Sequence, residues 1–143
     1  MNKLIRTLGV VLAGLLVVAA PFFTEASPLR WYSFEKGMEI SSQKGKKVFV
    51  FFRADWCRYC HTMETETFEN PEVLAFLNEK FIAVRVDTDK EQELSNMFRV
   101  RGLPDTWFFS ENGDVIGHRP GYIAPETFIK ILQSVSSAGS GPQ

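Results

Sequence analysis

Cys57 and Cys60 are the only cysteines of the chain, set in the run Trp56-Cys57-Arg58-Tyr59-Cys60-His61. Two thiols separated by two residues can close into a small disulfide ring and open again, which is the chemistry of thiol–disulfide exchange. The same letters, Cys-x-x-Cys-His, also mark the attachment of a c-type haem with His61 as axial ligand. Cys57, Cys60, His61 and His118 together match the ligand count of zinc. The surroundings separate these readings. The pair follows the apolar stretch 48–52 directly and precedes a helical pattern with an apolar face of its own, while His118 lacks a closely spaced second ligand. Exchange is the expectation, with no metal and no cofactor beyond the dithiol. A binding module whose dithiol is incidental is a further alternative, to be decided by whether Cys57→Ser leaves activity intact.

At a helix start, unpaired backbone N–H groups and the helix dipole favour negative charge, so a cysteine there ionises more readily. This predicts Cys57 as the exposed nucleophile and Cys60, one turn on, as the residue that resolves a mixed disulfide. Arg58 adds positive charge beside the nucleophile; Asp55 and Asp105 act in the opposite sense. Glu64 lies four positions after Cys60 and seven after Cys57, which places all three near one helix face. A carboxylate there can take the proton of Cys60, provided partial burial raises its pKa. The plainer reading is a solvated charge among Glu64, Glu66 and Glu69. Trp56 and the turn Leu103-Pro104 are expected to shape a substrate groove. A trans bond is the default at Pro104; a cis bond beside the dithiol would free the Leu103 backbone to pair with an extended substrate segment.

The elements that position these residues follow from punctuation and periodicity. Ser33 is an N-cap for a helix over 34–42, which Gly45 ends, and the almost continuously apolar 48–53 reads as a strand buried on both faces. A helix from about residue 57 breaks near Asn70-Pro71, where Asn70 caps a second piece with Pro71 at its first position. Strand 81–87, a short helix over 90–98 carrying Leu94 and Met97 inward, and strand 106–110 come next. Asn112-Gly113 signals a hairpin into 115–118. Pro125 starts the last helix, with Phe128, Ile129 and Leu132 on one face. With a short strand near Trp31, this order implies an α/β fold: a central mixed sheet with helices on both faces.

A length of 143 residues, 45% of them hydrophobic and thirteen of them phenylalanine, supports one domain with a real core. Phe49, Phe51, Phe52, Phe108 and Phe109 are read as core strand residues. Lys3 and Arg6 precede an apolar run over 8–20, and Thr24-Glu25-Ala26 offers a small-residue cleavage site, the pattern of an export signal over 1–26. The run is short for a spanning helix, which favours a cleaved signal over an uncleaved anchor. The domain is then 27–134, with a Ser- and Gly-rich disordered tail over 135–143. Losing Lys3, Arg6 and Glu25 takes the formal net charge from −1 to −2. No basic stripe with interleaved aromatics points to a nucleic-acid partner. Two cysteines in an exported chain do not make a disulfide framework.

Trp56-Cys57-Arg58-Tyr59-Cys60 with Gly102-Leu103-Pro104 just before a strand resembles the thioredoxin superfamily over residues 33–134. Residues 54–57, Thr67-Phe68, Pro71, Gly121 and 126–128 bring it nearest to the C-terminal periplasmic thioredoxin-like domain of the thiol:disulfide interchange protein DsbD. The resemblance implies a cis Pro104, a nucleophilic Cys57 and an acidic active-site residue at Glu64. It departs in having Phe51 where thioredoxins carry a buried aspartate, and Asp105 where threonine is common. What it implies is a periplasmic, monomeric oxidoreductase acting on protein disulfides or dithiols, supplied with electrons by a membrane partner and so a reductase. Catalytic oxidation or isomerisation is the alternative.

Overall fold

The computed structural model describes residues 27–138; the export signal expected over 1–26 and the end of the expected tail lie outside the described residues. Five strands form one sheet in the order β1-β3-β2-β4-β5. The strands are β1 (Trp31–Tyr32), β2 (Lys47–Arg53), β3 (Phe81–Asp87), β4 (Asp105–Phe109) and β5 (Val115–Pro120). β2 and β1 run parallel to β3, and β4 is antiparallel to both β2 and β5.

β2 is the central strand, and all of its residues after Lys47 are buried. Its alternation divides the core. Phe49 and Phe51 join the cluster under the C-terminal helix, together with Phe108, Phe128 and both cysteines. Val48, Val50 and Phe52 face the opposite cluster with Val84 and Phe109. The first cluster is an aromatic stack: the ring centroid of Phe68 lies 4.8 Å from that of Phe51 and 5.3 Å from that of Phe49, both edge-on. Such geometry sets the positive ring edge against the negative face.

The helices begin and end where the capping residues dictate. Ser33 caps α1 (Phe34–Lys44), accepting from the Lys36 N–H, and Gly45 closes it in the left-handed region at φ 62°. Asn70 caps α3 (Pro71–Lys80) through the N–H groups of Glu72 and Val73. The helix carrying the cysteines is less regular. α2 (Arg58–Thr62) passes directly into a π-helical segment, Met63–Thr67, in which the Phe68 N–H donates to the Met63 carbonyl at 3.0 Å. The wider turn brings Met63, Thr67 and Phe68 all into the core while Thr65 and Glu66 stay exposed.

Two expectations need correction. α4 (Gln92–Met97) is only six residues long, and Met97 points out at 71% exposure. Leu94, Ser95 and Phe98 supply its inward side instead. α5 (Pro125–Ser137) continues into the residues assigned to the tail, because Val135, one turn beyond Leu132, is buried in the core. No helix among the described residues is long and apolar enough to cross a membrane.

α1 lies close against β3 at Gly37, where an added Cβ would drive into the side chain of Val84. Overpacking of this kind typically costs about 1–3 kcal/mol. Gly37→Ala is therefore expected to lower the denaturant midpoint of unfolding without changing the slope, measured by fluorescence.

Candidate functional site

Cys57 is the N-cap of α2, in extended geometry at φ −81° and ψ 102°. Cys57 and Cys60 form a disulfide with Cα atoms 5.3 Å apart. The Cys60 N–H is shared between the Cys57 carbonyl at 3.1 Å and Cys57 Sγ at 3.2 Å, so the first turn of the helix gives the outer sulfur a backbone donor. The two cysteines differ in access. Cys60 is completely buried and Cys57 is 4% exposed, so Cys57 is the more accessible of the two but not the exposed residue its position suggests. What stands out is its flanks: Trp56 is 70% and Tyr59 63% exposed. Trp56 is held in place by its Nε1–H, which donates to Asp89 in the loop after β3 at 3.0 Å.

Pro104 comes to the same end of the sheet. β4 starts at Asp105, which pairs with Phe52 one residue before the end of β2, and β2 leads through residues 54–56 into Cys57. The Leu103–Pro104 bond is cis. Leu103 is half-buried against both halves of the core, and Pro104 is buried. Its carbonyl accepts from the Gly121 N–H at 2.7 Å, tying the β5–α5 loop to the proline turn. That loop is pinned twice more, by the Thr67 hydroxyl donating to the Ile123 carbonyl and by the Tyr122 hydroxyl donating to Glu66 at 2.8 Å. Both anchors come from the π segment. The Tyr122 ring lies 6.5 Å from that of Tyr59. Tyr122 escaped the sequence reading, since no motif signals a tyrosine whose partner is 56 residues away.

Glu64 sits apart from the sulfurs in its polar contacts. Its carboxylate lies 3.6 Å from each of Arg53 Nε, Arg85 Nη1 and His61 Nδ1. Arg53 is the buried centre of this layer, pairing also with Asp55 and with Asp87. The Arg53 guanidinium hydrogen-bonds Asp55 and holds its carboxyl below the usual range. His61 Nε2 meets the Asp55 carbonyl at 2.7 Å; a carbonyl only accepts, so this nitrogen carries the proton and Nδ1 faces Glu64. The result is a polar cleft of about 500 Å³ beside the cysteine helix. Asp105 turns to the other side of the sheet, where its buried carboxylate accepts from Trp107 Nε1 and meets His118 Nδ1 at 3.1 Å. The His118 imidazole stacks on Trp107 at 4.4 Å, so His118 is a bracing residue, away from Cys57 and Cys60.

A family model described as a thioredoxin-like domain matches residues 34–136. The chain belongs to the thioredoxin-like family. Its fold is that of a thioredoxin from Thermus thermophilus, with a TM-score of 0.73 at 30% identity over 79% of this chain and 91% of that one. The disulfide bond reductase DsbH of Chlamydia pneumoniae is 29% identical over 67% of both chains. The thiol:disulfide interchange protein DsbD of Vibrio vulnificus is 28% identical over 72% of this chain and 18% of its own length. The chain spans only about a tenth of the length of other curated relatives it matches. Within this thioredoxin-like domain, Cys57 and Cys60 are the Cys-x-x-Cys pair, joined as a disulfide.

The Glu66 carboxylate, accepting the hydrogen bond of the phenol, holds Tyr122 above the usual tyrosine pKa. A raised value means that the neutral phenol and its hydrogen bond persist through neutral pH and are lost only as pH rises past the shifted value. Ultraviolet titration should show one phenol ionising above about 10, and Glu66→Gln should bring it back toward that figure.

Proposed function

We propose that this protein is an exported thiol:disulfide oxidoreductase that reduces disulfides of protein partners in the periplasm or a similar extracytoplasmic space. The observation that carries this reading is the asymmetric pair: a Cys57 sulfur at a helix start with a backbone donor, and a Cys60 sulfur buried behind it. In the dithiol form the Cys57 thiolate attacks a substrate disulfide, and the first substrate sulfur leaves with the electron pair. Cys60 then attacks Cys57 Sγ, the Cys57–Cys60 bond forms, and the second substrate sulfur is released. Two electrons pass to the substrate, and both thiol protons end on its sulfurs.

Trp56, Leu103 and Pro104 form the groove that receives the substrate segment, with Tyr59 and Tyr122 along its rim. The reductive direction is supported by likeness to a disulfide bond reductase. It is also supported by the short path from Cys60 to Pro104, which holds the π segment, α3, β3 and α4, leaving no room for a large helical insertion. A reductant outside the cytoplasm needs electrons from elsewhere, which a membrane donor protein supplies. The apolar run over 8–20 is what supports export. Glu64 takes the proton that Cys60 gives up, and the guanidinium groups of Arg53 and Arg85, with the His61 ring beside them, keep the carboxylate in place.

Equilibration with glutathione tests the direction. A potential near about −270 mV, as in thioredoxin, is expected; one near about −120 mV, as in DsbA, overturns the reductase assignment. Cys60→Ser should trap a mixed disulfide through Cys57 that denaturing, non-reducing electrophoresis detects, whereas Cys57→Ser should trap none. For Glu64→Gln the expected change is slower closure of the mixed disulfide in stopped-flow fluorescence. An unaltered rate removes Glu64 from proton handling.

A further inference from the structure

Thr106 is completely buried, and its Oγ1 has no hydrogen-bond partner. It lies two residues beyond Pro104 in β4, directly across from Phe51 of β2. Strand alternation puts it on the same face as Phe108, and both Phe51 and Phe108 belong to the cluster that encloses Cys57 and Cys60. A buried hydroxyl without a partner is destabilising, and an apolar residue of the same shape would avoid that cost. The other unbonded buried atoms, Arg53 Nε and Glu64 Oε1, face each other at 3.6 Å and compensate by charge. Thr106 has no such counterpart in the disulfide form.

The two sulfurs are unequally served. Cys57 Sγ accepts from the Cys60 N–H, but Cys60 Sγ receives no hydrogen bond among the described residues and is surrounded by an apolar, largely aromatic cluster. In the disulfide this sulfur needs none. Once the bond is broken it becomes a thiol or a thiolate, and a thiolate in apolar surroundings without a donor is unfavourable. We infer that Thr106 is a positioning residue for Cys60, its hydroxyl idle in the disulfide and hydrogen-bonded to the Cys60 sulfur once the pair is reduced. During closure the Cys60 proton leaves and its sulfur bonds to Cys57 Sγ. The Cys57–substrate bond breaks, and the substrate sulfur takes up the electron pair and a proton. The Thr106 hydroxyl donates a hydrogen bond to the Cys60 thiolate and exchanges no proton.

The inference rests on Cys57–Cys60 cycling as proposed above, and the test keeps the two apart. Full-length protein, Thr106→Val and Thr106→Ser are equilibrated with glutathione, and each is unfolded thermally in both redox forms. Thr106→Val removes the hydroxyl with little change of shape. It should shift the equilibrium toward the disulfide by about five- to tenfold, the effect of one lost hydrogen bond. The midpoint of its reduced form should fall while that of its oxidised form holds or rises, and Thr106→Ser should restore the equilibrium toward that of the native protein. An equilibrium within twofold of the native one, with both redox forms shifted alike, reduces Thr106 to a packing residue and overturns the inference. If the native pair does not exchange with glutathione at all, the exchange reading falls and the inference with it.

Discussion

The burial of β2 on both faces is the constraint from which the rest of the structure follows. A strand with Phe49 and Phe51 on one side and Val48, Val50 and Phe52 on the other needs a layer of helices above and below it. It also needs a paired strand on each edge, which β3 and β4 supply. Its C-terminal end is where the apolar run stops, at Arg53. There the chain must turn out of the sheet, and the turn delivers Cys57 to the start of a helix beside the proline loop of the neighbouring strand. The dithiol is thus set by strand packing, with its own residues adding only the local donor geometry.

Arg53 shows what happens at the edge of that buried layer. A guanidinium there is tolerated because Asp55, Glu64 and Asp87 surround it with negative charge. Buried pairs of this kind add little net stability, since desolvation offsets the attraction. Their effect is positional: Arg53 ties β2, β3 and the π segment together and engages the Asp55 side chain. Arg85 extends the layer, lying over the Trp31 ring at 5.4 Å and linking β1 to the same network.

The element order was legible because the chain is well punctuated. Ser33, Gly45, Asn70-Pro71, Asn112-Gly113 and Pro125 each act within a few residues, and their backbone consequences are local. The cysteines were legible for the same reason. The interior of the site was less so. Helical periodicity assumes uniform spacing, so the π segment and its two anchors to the β5–α5 loop were hidden. Met97 was misplaced because a helix of less than two turns carries too little periodicity to orient it. Arg53, Asp89, Thr106 and Tyr122 acquire meaning only from neighbours that the tertiary fold brings together, which no short window contains.

The π segment has a further consequence for how this chain can vary. Its extra residue keeps Met63 and Phe68 on the core side while sending Glu66 and Thr67 toward the loop after β5. Removing one residue here would restore ordinary helical winding and rotate everything N-terminal to it, the cysteines included, relative to α3. The loop after β5 would lose both its anchors in the same event. Length between Cys60 and Pro71 is thus a structural variable in its own right: a one-residue deletion that keeps Cys57, Cys60 and Pro104 would still dismantle one wall of the proposed groove.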